Sequence, residues 1–259
     1  ASPKSTIRLS AGKAYRSPRI FAENNYLLAS SRDLFFDGET GMEEAWNFGI
    51  HILQHTNILS RETSISLDFY RTSFLNQIVI DLDRDHSLIH ISMLDGKSFS
   101  NSFQAELSYE PLDGLDLSIA YRLNDVRLEY ESGLKEKPLL SRYKAFFNAS
   151  YQTAMKTWQF DFTTQLNGKG RLPDRSSYPE EYQNEKEFPA YWILNAQISK
   201  FIKQWSIYAG VENLSDFTQE DVVIAASDPF GEYFDASQLW GPVLGRKIYL
   251  GLRFTIKNN

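Results

Sequence analysis

The chain closes on GRKIYLGLRFTIKNN, residues 245–259, and this stretch decides how everything before it is read. Ile248, Leu250, Leu252, Phe254 and Ile256 take every second position. Lys247, Tyr249, Gly251, Arg253 and Thr255 take the positions between. Successive side chains of a strand point to opposite faces, so this spacing makes one face wholly apolar and the other polar or small. Such a strand needs an apolar neighbour on one side and water on the other.

The same two-faced pattern recurs upstream and gives ten expected strands. The first covers residues 6–14. The second carries Trp46, Phe48, Ile50 and Ile52 on one face, the third Ile65, Leu67 and Phe69, the fourth Phe103, Ala105, Leu107 and Tyr109. Leu115–Leu123 odd positions mark the fifth, Tyr143, Ala145 and Phe147 the sixth, and Trp158, Phe160 and Phe162 the seventh. Trp192, Leu194 and Ala196 mark the eighth, Trp205, Ile207 and Ala209 the ninth, and the closing stretch is the tenth. In the third strand the apolar set changes parity near Arg71, to Phe74, Ile78 and Ile80, which reads as a bulge or a bend leaving the membrane. The fifth flips likewise to Val126, Leu128 and Tyr130.

Lipid on one face and water on the other explains this pattern, and only helices or closed barrels hide their backbone from lipid. No apolar run approaches the roughly 18 residues of a spanning helix, and mean hydropathy is −0.39. The expected fold is therefore all-β: antiparallel, up-and-down strands of a transmembrane β-barrel, about ten of them, forming a partial barrel. Aromatic residues make up 14% of the chain, which suits interfacial girdles. Cysteine is absent, which permits an oxidising compartment. A net charge of −6 argues against nucleic acid as a partner.

Connections alternate in length. They are short near residues 57–61, 112–114, 153–156 and 203–204, and long near 15–43, 82–100, 131–140, 168–190 and 214–244. Tight periplasmic turns and extended outer loops are the outer-membrane arrangement, and they put the carboxyl end in the periplasm. The opening residues lack the apolar core of a signal peptide, and alternation already begins at Ile7, so the chain reads as a portion of something larger.

Four segments carry a family resemblance: LSAGKAYRSP (residues 9–18), ISLDFYRTSFLNQIVID (65–81), YAGVENLSDFTQ (208–219) and GRKIYLGLRF (245–254). In their order and spacing, the chain resembles the carboxyl-terminal part of a TonB-dependent outer-membrane receptor, over essentially all of residues 1–259. In that family a Gly-rich strand running into Asn-Leu opens the last outer loop and Gly-Arg opens the last strand, which here matches Asn213, Leu214, Gly245 and Arg246. The resemblance implies active uptake of a scarce, bulky nutrient (an iron chelate, corrinoid, metal or oligosaccharide) across the outer membrane of a Gram-negative bacterium. It implies a plug domain and the TonB complex as partners outside this chain, with outer-membrane lipid around it and no cofactor. Such receptors commonly end on an aromatic residue, whereas five residues follow Phe254.

Ligand capture is expected on the first and last outer loops, where aromatic area meets charge. The candidates are Arg16, Tyr26, Arg32, Tyr233, Asp235 and Trp240. On the polar strand faces, Glu106, Arg122 and Arg253 are expected to meet the plug. His51, His55, His86 and His90 lack metal-site spacing and read as scattered surface histidines. Hydrolase, P-loop and dinucleotide motifs are missing, so no catalytic residue is assigned. The alternative is a small complete barrel acting as a porin or as a hydrolase, with Asp81, Asp83, Asp85 and His86 as its best group.

Overall fold

The computed structural model describes residues 4–183 and 185–256, so the tail expected after Phe254 is described only as far as Ile256. Strand β1 (Ser5–Arg16) leads into an outer loop with a one-turn helix α1 (Ile20–Glu23), a 3-10 turn (Asn25–Ala29) and strand β2 (Asp33–Asp37). The hairpin β3 (Glu43–Ile58) and β4 (Arg61–Asn76) follows, then β5 (Ile78–Asp81) and β6 (Leu88–Met93) in the second outer loop. After β7 (Ser98–Leu112) and β8 (Leu115–Tyr130) comes the short β9 (Gly133–Glu136), then β10 (Tyr143–Gln152) and β11 (Trp158–Asn167). The fourth outer loop holds the two-residue strands β12 (Gly170–Arg171) and β13 (Glu187–Phe188). Strands β14 (Tyr191–Ile202), β15 (Trp205–Glu212) and β16 (Lys247–Phe254) complete the fold.

Ten long strands pair antiparallel in the order β1-β3-β4-β7-β8-β10-β11-β14-β15-β16, and β9 joins β8. The two edge strands, β1 and β16, do not pair, so the sheet is the wall of a partial barrel. The ten strands are those the alternation predicts. Register then carries the apolar positions onto one side: Ile7 lies opposite Ile52, Ile52 opposite Leu67, and Leu67 opposite Ala105. The row continues through Tyr121, Ala145 and Leu166 to Trp192. Large side chains along this side stand exposed, among them Leu9, Ile50, Phe69, Phe162, Trp192 and Leu250. A solvent-exposed apolar band this broad marks an interaction with lipid.

The opposite face is a hydrogen-bonded polar surface. His51 Nδ1 meets Asp68 Oδ1 at 2.7 Å, Ser150 donates to Asp161 at 2.7 Å, and Tyr249 Oη donates to Gln197 at 2.9 Å. Tyr208 and Tyr249 each lie over a glycine on the neighbouring strand: a Cβ at Gly251 would meet Tyr208 at 2.1 Å, and one at Gly210 would meet Tyr249 at 2.3 Å. The rings cover backbone that a larger residue would push apart.

Short turns join the strands at one end. At Asp113-Gly114, Gly114 takes φ +80°, where a Cβ would strike the carbonyl of Gln152 at 2.4 Å; Asp-Gly is the pair a two-residue hairpin favours. The other end carries five long loops, residues 17–42, 77–97, 131–142, 168–190 and 213–246.

Of the two parity changes, the first marks a bulge and a bend a few residues later than read, and the second needs correction. The β4–β7 ladder runs unbroken through Arg71, and the irregularity sits between Phe74 and Asn76, opposite Ala45 and Glu44. Ile78 and Ile80 belong to β5, which leaves the wall and pairs with β6 in a separate three-stranded sheet, β2-β6-β5. In β8 the ladder is likewise continuous from residue 117 to 128. Val126, Leu128 and Tyr130 are inward-facing because above the membrane the inner face packs on Val79 and Leu94. The parity switch records which side is apolar, lipid below and loop core above.

Candidate functional site

The five loops form a cap over one end of the wall. Its core is Leu27, Leu82, Ile89 and Ile91, with Ile20, Leu34, Ile78 and Ile80 against it. Alternate positions of β6 supply Ile89 and Ile91, both fully buried, beneath the parallel pairing of β2 with β6.

Two buried carboxylates lock the loops together. Asp235 Oδ2 accepts Arg32 Nη2 at 2.7 Å, both side chains 1% exposed, and Arg32 also reaches the carbonyl of Leu82. Asp235 further accepts Gln238 Nε2 at 3.0 Å and the N–H of Ser237 at 2.7 Å. One residue beyond Leu82, Asp83 accepts Arg171 Nη1 at 2.7 Å, Lys135 Nζ at 3.4 Å and the N–H of Asp174 at 2.9 Å. Arg171 also donates to the carbonyl of Glu136 at 2.6 Å and lies over the Tyr130 ring. Segment 81–83 therefore connects all five loops.

A third clasp holds the neck of the last loop, at the Asn-Leu and Gly-Arg positions. Asn213 takes φ +50°, which asparagine tolerates better than most residues, and donates to the carbonyl of Phe217 at 2.8 Å. Arg246 donates to the carbonyl of Leu214 at 2.8 Å, and its N–H to Asp216 at 2.7 Å. A Cβ at Gly245 would meet that same Asp216 carboxylate at 2.5 Å. The loop ends are pinned by the residues that carried the resemblance.

The structure separates the expected ligand contacts into two groups. Arg32 and Asp235 are buried against each other and present nothing to a ligand. Trp240 stacks on Phe188 at 5.0 Å and packs against Tyr191 and Phe217, keeping part of its surface open. Arg16 is exposed and paired with Glu43 and Glu23. Tyr26 is 40% exposed and, with Arg16, lines a cavity of about 840 Å³ between the cap and the inner wall. Tyr233 lies elsewhere, packed with His86, Tyr178 and Tyr182. Burial pushes the Tyr178 phenol above its ordinary pKa. A second cavity, about 630 Å³, opens between the fourth and fifth loops and includes Trp240.

Glu106, Arg122 and Arg253 all stand exposed on the inner face, each beside a different strand neighbour: Ser66, Gln104 and Ser206. Glu106 and Arg122 are diagonal neighbours across the β7–β8 ladder, while Arg253 lies at the far edge on β16. The acidic group proposed for hydrolysis is spent on structure: Asp81 accepts the N–H of Asp83, Asp85 accepts that of Ser87, and His86 Nε2 meets Glu232 at 2.9 Å. His90 is not a surface residue; it is 8% exposed, edge-on to Phe35. The sequence reading missed Arg171, Phe188, Gln219 and Gln238 and gave Asp83 a hydrolytic role in place of its structural one, because their partners are distant in the chain. The bend read at Ile78 and Ile80 marked in advance where the chain leaves the wall, in strand β5.

Comparison with solved structures finds the same fold. A ferric enterobactin receptor mutant from Pseudomonas aeruginosa (PfeA) aligns with a TM-score of 0.64 at 15% identity, over 97% of this chain and 38% of its own. The copper transporter OprC gives 0.71 at 13% identity, over 99% and 38%. The ferric-catecholate import receptor Fiu of E. coli K12 gives 0.62 at 13% identity, over 97% and 33%. The chain thus spans about two-fifths or less of the proteins it matches. A comparison with curated proteins finds no match. The profile of the "TonB dependent receptor-like, beta-barrel" family matches residues 1–214. With its wall, its clasped last loop and that match, the chain belongs to the TonB-dependent receptor β-barrel family.

Proposed function

We propose that this chain is the carboxyl-terminal portion of the barrel of a TonB-dependent receptor in the outer membrane of a Gram-negative bacterium. The parent imports a scarce, bulky nutrient, driven through the TonB complex. The observation that carries this reading is the interlocked cap above a polar inner wall. A passive pore needs no such cap, whereas a receptor needs rigid outer walls around a capture site. The similar structures are those of a ferric enterobactin receptor, a copper transporter and a ferric-catecholate import receptor, which supports uptake as the activity.

In this reading Arg16, Tyr26, Tyr233 and Trp240 face the cargo, while Arg32 and Asp235 hold the cap that presents them. Glu106, Arg122 and Arg253 meet a plug domain supplied by the rest of the parent. No covalent catalysis and no resident cofactor are invoked. Deleting the gene is expected to abolish growth on one limiting nutrient, and uptake of that nutrient should cease when TonB is removed. Uptake that survives loss of TonB would make the parent a porin.

A further inference from the structure

We propose that the cavity between the fourth and fifth outer loops is a carbohydrate subsite, shaped for a neutral or amine-bearing saccharide and hostile to anions. The proposal rests on the import reading and names a cargo class for it. At about 630 Å³ the cavity lies within the usual 300–1,000 Å³ range of ligand pockets.

Its aromatic wall is fixed in advance. Gln219 Oε1 accepts the N–H groups of Trp240 at 2.8 Å and Gly241 at 3.0 Å, and its Nε2 donates to the carbonyl of Gln238 at 2.9 Å. Phe188 backs the indole at an interplanar angle of 10°. An indole held this way loses little entropy on binding and offers its remaining apolar surface to the C–H face of a sugar ring.

Two buried polar atoms on residues that line the cavity lack partners. Gln238 is 5% exposed; its Nε2 is committed to Asp235, and its Oε1 accepts nothing. Arg175 donates through Nη1 to the carbonyl of Tyr182 at 3.2 Å, while its Nε donates to nothing. An unmade buried hydrogen bond costs about 1–3 kcal/mol. A hydroxyl both donates and accepts, so hydroxyl-rich cargo can serve an orphan acceptor and an orphan donor alike.

Charge excludes the anionic alternatives. Glu181, Glu185, Glu220 and Asp221 line the cavity, and Arg175 is the only cation among its described lining residues. A fifth carboxylate, Glu187, is occupied by Arg142 and Lys169. The acidity extends to the whole cap: the five outer loops carry 21 Asp and Glu against 12 Lys and Arg, a net −9, where the chain as a whole is −6. Like charges facing a cleft repel an anionic ligand before contact.

Calorimetry on the purified full-length receptor tests this with three hexasaccharides: uncharged maltohexaose, cationic glucosamine hexamer and anionic galacturonate hexamer. The first or second is expected to bind and the third to fail. Trp240→Ala should weaken binding at least tenfold, Trp240→Phe should restore most of it, and Glu220→Lys with Asp221→Lys should admit the galacturonate. Absence of binding by all three sugars, preference for galacturonate by the unaltered receptor, or an unchanged Trp240→Ala variant would each overturn the subsite. TonB-dependent uptake alongside absent saccharide binding would sink this proposal alone, whereas TonB-independent uptake would sink the import reading.

Discussion

Asp235 and Arg32 show what a single residue does in this cap. Their side chains are 1% exposed, and 203 positions separate them. Removing one partner leaves a buried charge uncompensated, which costs about 3–5 kcal/mol. Asp235→Ala should therefore lower the opening free energy of the first and last loops by about 3 kcal/mol or more, read by hydrogen exchange, and a second change, Arg32→Leu, should recover part of it. A second residue-scale expectation concerns pH. Asp174 accepts the N–H of Ser176 at 2.9 Å, and this bond, with the Ser176 hydroxyl, holds its carboxyl below the ordinary value. A depressed native pKa contributes fully above the unfolded value, about 3.9 for Asp, and its contribution fades as pH falls through the lower native one. Protection of the Ser176 amide, corrected for intrinsic exchange, should hold from pH 7 to about 4 and decline below; a decline already complete at pH 6 would contradict the assignment. At this scale the sequence was least informative. Composition marked Arg32 and Asp235 as aromatic-flanked charges, but no local pattern states that two residues so far apart neutralise each other instead of a ligand.

Elements were far more legible, because lipid imposes period two on every strand it touches. All ten wall strands and the alternation of short and long connections follow from that constraint. It also predicts an asymmetry between adjacent residues of β11. Phe162 belongs to the exposed apolar face and Thr163, hydrogen-bonded to Asn148, to the polar one. Phe162→Lys should destabilise the inserted barrel by about 2–4 kcal/mol if it lies near the bilayer midplane, while Thr163→Lys should cost far less, as measured by urea titration in liposomes. Equal costs would place lipid on neither face. Legibility failed where strands are shortest: β2, β5 and β6 hold four to six residues each, too few to separate from loop by period alone. The parity flip in β8 misled for a related reason, since the inner face turns apolar wherever it meets the loop core. The cap also behaves as one element. Asp83→Ala strips the partner from Arg171 and Lys135 together, so exchange should rise in the second, third and fourth loops at once; a rise confined to the second loop would mean that they move independently.

At the scale of the molecule, charge and apolarity are sorted into zones. The outer loops are net −9 within a chain of −6, the wall carries an apolar band outside and hydrogen-bonded polar groups inside, and tight turns close the far end. That division makes orientation the central claim: loops outside the cell, turns in the periplasm. These 259 residues hold no cysteine, so one placed here, in a parent with any cysteine elsewhere replaced, measures orientation directly by labelling in intact cells, with a maleimide too large for porins. Phe230, in the last loop, is 98% exposed, and Met155, in the turn between β10 and β11, is 83% exposed. Phe230→Cys should label in intact cells, and Met155→Cys should label only after the outer membrane is permeabilised. Labelling of Met155→Cys in intact cells, with Phe230→Cys silent until permeabilisation, would contradict the account.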